Sequence, residues 1–101
     1  MAKKLGLAFL RGLGMFGGNN VSESQMRKVL KSIEERHRGA VKFLGIYGVH
    51  NDIIVFEKQG VHYATVGTWI EYEMKKLGLD IPVTTRSMRT VSEVVKKWVK
   101  G

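Results

Sequence analysis

The pattern that leaves fewest folds open is a pair of helical apolar stripes, each bracketed by short strand-like runs. In VSESQMRKVLKSIEERHRG, Met26, Val29, Leu30 and Ile33 recur at the spacing that puts apolar groups on one face of a helix. Ser22 with Gln25 reads as a capping box, and Gly39 as a left-handed stop. Tyr63, Val66, Ile70, Met74 and Leu77 form the second stripe, ended by Gly78. Thr65 or Thr68 can cap it, and Thr68 with Glu71 makes the better box. A third stripe, Val91, Val94, Val95 and Trp98, follows Ser87 or Thr90 as cap, with Thr90 and Glu93 as its box.

Between the stripes lie apolar and β-branched runs. LGLAFL (Leu5 to Leu10) reads as a buried strand, VKFLGIYG and NDIIVFEK as an antiparallel hairpin turning near Asn51-Asp52, and DIPVTT as a short strand. Pro82 lacks a ladder donor, which suits a strand start or a sheet edge. The order is strand, helix, strand, strand, helix, strand, helix. Two β-α-β halves joined through a hairpin predict an α+β ferredoxin-like domain spanning 1–101: an antiparallel sheet, two helices on one face, and an added C-terminal helix. Right-handed crossovers put the first and third strands side by side at the centre, where LGLAFL and IIVF belong. The third helix then covers the open face of the sheet or docks a partner.

Composition narrows the function classes. The 101 residues suffice for one hydrophobic core, and 44% hydrophobic residues with a single proline argue for a folded chain. No run approaches the roughly 18 apolar residues of a membrane span, and Arg11 interrupts the opening MAKKLGLAFLRG where a signal peptide would stay apolar. Zero cysteines remove disulfide and thiolate chemistry and fit a reducing compartment, so a cytoplasmic location is expected. Lysine and arginine number 17 against 9 acidic residues, a net charge of +8 that favours nucleic acid or acidic partners.

RGLGMFGGNN contains Gly12-Leu13-Gly14-Met15-Phe16-Gly17, which spells the G-x-G-x-x-G of dinucleotide loops. Such a loop needs a helix N-terminus directly behind its glycines and an acidic ribose ligand at the end of the next strand. Here the capping signal starts the helix only at Ser22, and Glu34 and Glu35, which have the spacing, belong to the helix. No G-K-[ST] follows, so a P-loop is excluded as well. No cofactor is expected. What survives is a candidate anion site at Arg11, Gly12, Gly14, Gly17, Gly18 and Asn20, against the plainer reading of a wide turn needing positive φ.

AFLRGLGMFGGNN followed by SQMRKVLKSI resembles the opening of the bacterial proteins grouped as domain of unknown function 1697, with their strand, RGINVGGKN-like loop and amphipathic helix. NDIIVF resembles that family's SGNVVF strand, and LGLDIPVTTRS its FGLDVPVxVRT segment. The resemblance runs in order along nearly the whole chain and implies a ferredoxin-like first domain with no established activity. The matching positions are Arg11, Gly12, Gly17, Gly18 and Asn20, then Asp80, Pro82, Val83 and Arg86. The loop is one residue longer here, its lysine is replaced by Asn19, and typical members continue into a further segment.

Other chemistry finds little support in the residues. His37, His50 and His62 have no carboxylates at metal-ligand spacing, and no serine sits in a G-x-S-x-G elbow. Phe9 faintly resembles an RNA-recognition aromatic, but NDIIVFEK lacks the second motif. Basic clusters remain on the first helix (Arg27, Lys28, Lys31, Arg36, Arg38) and near the end (Arg86, Arg89, Lys96, Lys97, Lys100). The leading expectation is a non-enzymatic, self-associating protein-interaction module, a homodimer joined through sheet faces or edges. The alternative is a nucleic-acid-binding protein using Arg11, Arg27, Lys31, Arg86, Arg89, Lys96 and Lys97 on phosphates.

Overall fold

The computed structural model describes residues 4–13 and 21–87. Six elements follow one another: β1 (Lys4–Leu10), α1 (Glu23–Arg36), β2 (Val41–Tyr47), β3 (Ile53–Lys58), α2 (Tyr63–Lys76) and β4 (Val83–Ser87). The strands form one antiparallel sheet in the order β2-β3-β1-β4, with β1 and β3 at the centre. The third stripe, with Thr90 and Glu93, lies outside the described residues.

Strand alternation sends Ala8 and Leu10 of β1, with Ile54 and Phe56 of β3, to the face where both helices pack. Against them α1 lays Met26, Val29, Leu30 and Ile33, and α2 lays Val66, Ile70 and Met74. Each such side chain contributes about 1.5–3 kcal/mol on burial, so these stripes hold the helices down. Gly6 is required by this packing, because a Cβ there would stand 2.7 Å from both Phe56 Cζ and Tyr63 Cδ1.

Helix α1 begins as its sequence predicts. Ser22 Oγ accepts from the Gln25 amide at 3.1 Å, and Ser22 N donates to Gln25 Oε1 at 3.2 Å. Helix α2 corrects the expectation. It starts at Tyr63 behind His62, which makes no side-chain cap, so Thr65 and Thr68 lie inside the helix. Thr68 Oγ1 donates back to the Ala64 carbonyl, and Glu71 reaches away to Val83 N. The early start is driven by Tyr63, whose ring packs beside Phe56 and beneath the Lys58 ammonium. Leu77 falls beyond the helix and is exposed, while Glu73 is buried at the helix seam between Arg36 (3.3 Å) and Lys76 (3.1 Å). His37 stacks on Trp69 at the same seam, with ring centroids 3.7 Å apart.

The hairpin is less regular than its sequence implies. Phe43 pairs with Phe56 but Gly45 pairs with Val55, which makes Leu44 an extra, bulged residue. Asn51 supplies the left-handed conformation of the turn, at φ 58°. Ser87, offered as a helix cap by its sequence context, instead ends β4 opposite Gly6, since the β1 ladder extends to it. Pro82 directly precedes β4, which is an edge strand.

Candidate anion-binding groove

The glycine loop leaves β1 on well-anchored stems. The Arg11 amide donates to the Pro82 carbonyl at 2.9 Å while its side chain is exposed, and Leu13 is buried in the core. Gly12 takes φ 89° in open space, so its glycine serves backbone conformation. Where the chain returns, Val21 is buried and its carbonyl accepts from Asn51 Nδ2 at 3.0 Å. Gly14, Gly17, Gly18 and Asn20 lie outside the described residues. At the helix behind them, the Ser22–Gln25 box satisfies a leading amide and Glu23 adds a carboxylate in the first turn. Both features compete with a bound anion at that end.

The helix cations form a different surface. Glu23, Arg27, Lys31, Glu34 and Arg38 run along one side of α1 and the turn after it, facing edge strand β2. Two neighbouring clefts open there. One, of about 370 Å³, is lined by Arg27, Leu30, Lys31 and the bulged segment from Phe43 to Ile46; the other, of about 590 Å³, by Arg38, Lys42, Lys58 and Gln59. Glu34 lines both, which joins them into one groove along α1 and β2.

Within the groove the charges have distinct tasks. The Glu34 carboxylate accepts the Phe43 amide at 2.6 Å, satisfying an edge donor of β2. Glu23 pairs with Arg27 at 2.7 Å in an exposed i,i+4 contact, which is worth only a few tenths of a kcal/mol. Lys31, Arg38 and Lys42 make no ion pair among the described residues. The floor is apolar, with Leu30 buried and Leu44 exposed at the bulge. The lining thus mixes the cations Arg27, Lys31, Arg38, Lys42 and Lys58 with the carboxylates Glu23, Glu34 and Glu57, so an anionic ligand would be met by an excess of two positive charges.

The sequence-derived phosphate candidates are thus divided. Arg27 and Lys31 stand in the groove at the β2 edge. Arg86 lies on β4, the opposite edge, and its register with Leu7 puts it on the sheet face away from the helices. Arg89, Lys96 and Lys97 lie outside the described residues. Lys42 and Lys58 were missed by sequence reasoning, because they join the groove through hairpin register, Lys42 opposite Glu57 and Lys58 opposite Val41. Counting back from the Asn51 turn with one bulge would have placed them. Among the described residues no three metal-ligating side chains converge, and no helix is long and apolar enough to cross a membrane. No family model, curated protein or solved structure matches this chain.

Proposed function

We propose that this chain is a non-enzymatic interaction module of the ferredoxin-like type whose working surface is the α1–β2 groove and whose ligand is a nucleic-acid phosphate backbone. The fold reading is supported by the β-α-β-β-α-β order and by the central position of β1 and β3. It agrees with the likeness to domain of unknown function 1697, whose glycine loop and D-I-P-V segment frame β1 and β4. The observation that carries the ligand reading is that Lys31, Arg38 and Lys42, which make no ion pair among the described residues, line two adjoining open clefts that share Glu34. The +8 net charge adds long-range attraction without defining a site.

Titration of single-stranded and duplex nucleic acid over a salt series tests the reading. Phosphate contacts from Lys31, Arg38 and Lys42 predict a log-log salt slope of about −2 to −3. K31Q, R38Q and K42Q should each lower the slope by about 1 with little change in sequence preference. Absence of binding at low salt, or equal loss from R86Q alone, would move the function elsewhere.

A homodimer is the second reading. It is favoured by an apolar strip along β2 and its turn, where Leu44, Tyr47 and Val49 are exposed, Val49 by 92%. Sedimentation equilibrium of the wild type and of Y47E/V49E distinguishes it: a dimer through this strip dissociates in the double variant.

A further inference from the structure

Tyr47 ends β2 at the edge of the sheet and is 46% exposed. It pairs with Ile53, which pairs in turn with Phe9, so its side chain belongs to the face away from the helices. The ring leans back along its own strand. A Cβ on Gly45 would stand 2.7 Å from Tyr47 Cε2 and 2.9 Å from Cζ, so the glycine clears the space in which the end of the ring lies. Among the described residues the Tyr47 hydroxyl makes no hydrogen bond and the ring no aromatic contact. One side of the ring rests on backbone, and the rest of it meets solvent. Lys42 shares this face through its pairing with Glu57, two ladder steps from Gly45, or about 7 Å along the strand. It is exposed, makes no ion pair among the described residues, and lines the larger cleft of the groove.

We infer that the Tyr47 ring stacks on an unpaired base of a single-stranded nucleic acid whose phosphates reach Lys42 and the groove beyond it. The inference rests on the phosphate reading of the groove and adds the class of strand that is bound. Charge selects the occupant: Lys42 and the net charge of +8 complement a phosphate chain. The ring then selects among phosphate chains. Every base offers a π-face, so an open aromatic ring accepts any of them, in keeping with phosphate contacts that carry no sequence information. A duplex cannot use the ring, because its bases are paired and already stacked on one another; unstacked bases of a single strand can. Lys42 links the two parts of the site, since it belongs both to the cleft with Arg38 and to the strand face that carries Tyr47.

The test compares a short oligothymidylate with an abasic strand of the same length and charge, titrated into the full chain over a salt series. The wild type should bind the oligothymidylate at least about 5-fold more tightly, the lower bound for stacking one base on an aromatic ring. Y47A should remove that preference and leave the salt slope unchanged, because the slope counts phosphate contacts. Y47F should keep the preference, since the ring is retained. In spectra of tyrosine-labelled wild type, the Tyr47 ring resonances should move upfield with the oligothymidylate and stay in place with the abasic strand. Equal affinity of the wild type for the two strands, with the salt slope intact, would overturn the stacking and leave the phosphate reading standing. Absence of binding to either strand at low salt would remove both. Ring resonances that follow protein concentration and ignore the strand would assign the ring to a second copy and overturn the inference.

Discussion

At one edge of the sheet α2 lies directly on β4; at the other, α1 leaves an open cleft beside β2. The residue behind the close approach is Gly67, where even a methyl group would come to 3.0 Å from Thr85 Cγ2 and 3.4 Å from Val83 Cγ1. Glycine within a helix costs about 1 kcal/mol relative to alanine, and here it permits the close approach of α2 to β4. On the α1 side, Leu30, Lys31 and Glu34 face β2, and the bulge at Leu44 bends the strand locally. Both edges nevertheless share one device. Glu34 accepts the Phe43 amide and Glu71 accepts the Val83 amide, at 2.6 and 2.8 Å. Strand edges invite pairing with other chains, and each helix supplies a carboxylate that occupies one such donor. The two sides of the sheet thus share an edge device and differ in packing: a glycine lets α2 close on β4, while clefts open where α1 faces β2.

The likeness of the two sides is tested most strongly in the core. Ile33→Ala and Ile70→Ala should each cost about 3–4 kcal/mol, because both side chains are fully buried and leave cavities. Chemical denaturation measures this, and a large inequality would show that one helix carries the fold. The difference between the sides is tested next. Gly67→Val should cost about 2 kcal/mol by overpacking α2 against β4. A neutral result would mean that the seam yields and the closeness is incidental.

Removal of the edge carboxylates separates the sides further. E34A and E71A should each cost about 1–2 kcal/mol through a backbone donor left without its charged acceptor. E71A should be the more costly, since water entering the open cleft can replace Glu34 at Phe43 more easily than it can enter the seam at Val83. The smallest effects concern the helix starts. Ser22→Ala should cost about 1 kcal/mol, as expected for a working N-cap. Thr68→Ala should change stability by less than about 0.5 kcal/mol, because Thr68 is an exposed residue within α2.

These features differed in how readily the sequence disclosed them, and the reasons are physical. The core stripe of α1 and its capping box depend on residues three or four apart, so local spacing was sufficient for Met26, Ile33 and Ser22. The start of α2 depends on Tyr63 meeting Phe56 and Lys58, contacts that exist only once the sheet has formed. Thr68 and Glu71 had the right spacing for a box, but Glu71 finds a partner on β4. The bulge at Leu44 has no local signature, and without it the register that carries Lys42 toward the groove cannot be counted. The basic face of α1 was legible as charge; its pairing with an open cleft was not, because the cleft is lined by residues of β2 and β3 that only the assembled sheet brings beside the helix.

The stacking of His37 on Trp69 gives the seam between the helices an optical property. An imidazole in face contact with an indole quenches its emission. In a W98F variant, where Trp69 is the one tryptophan left in the sequence, its fluorescence is therefore a gauge of whether α1 and α2 remain docked. A ligand that pries the end of α1 from α2 in that variant would announce itself as a rise in light, with no label attached to the protein.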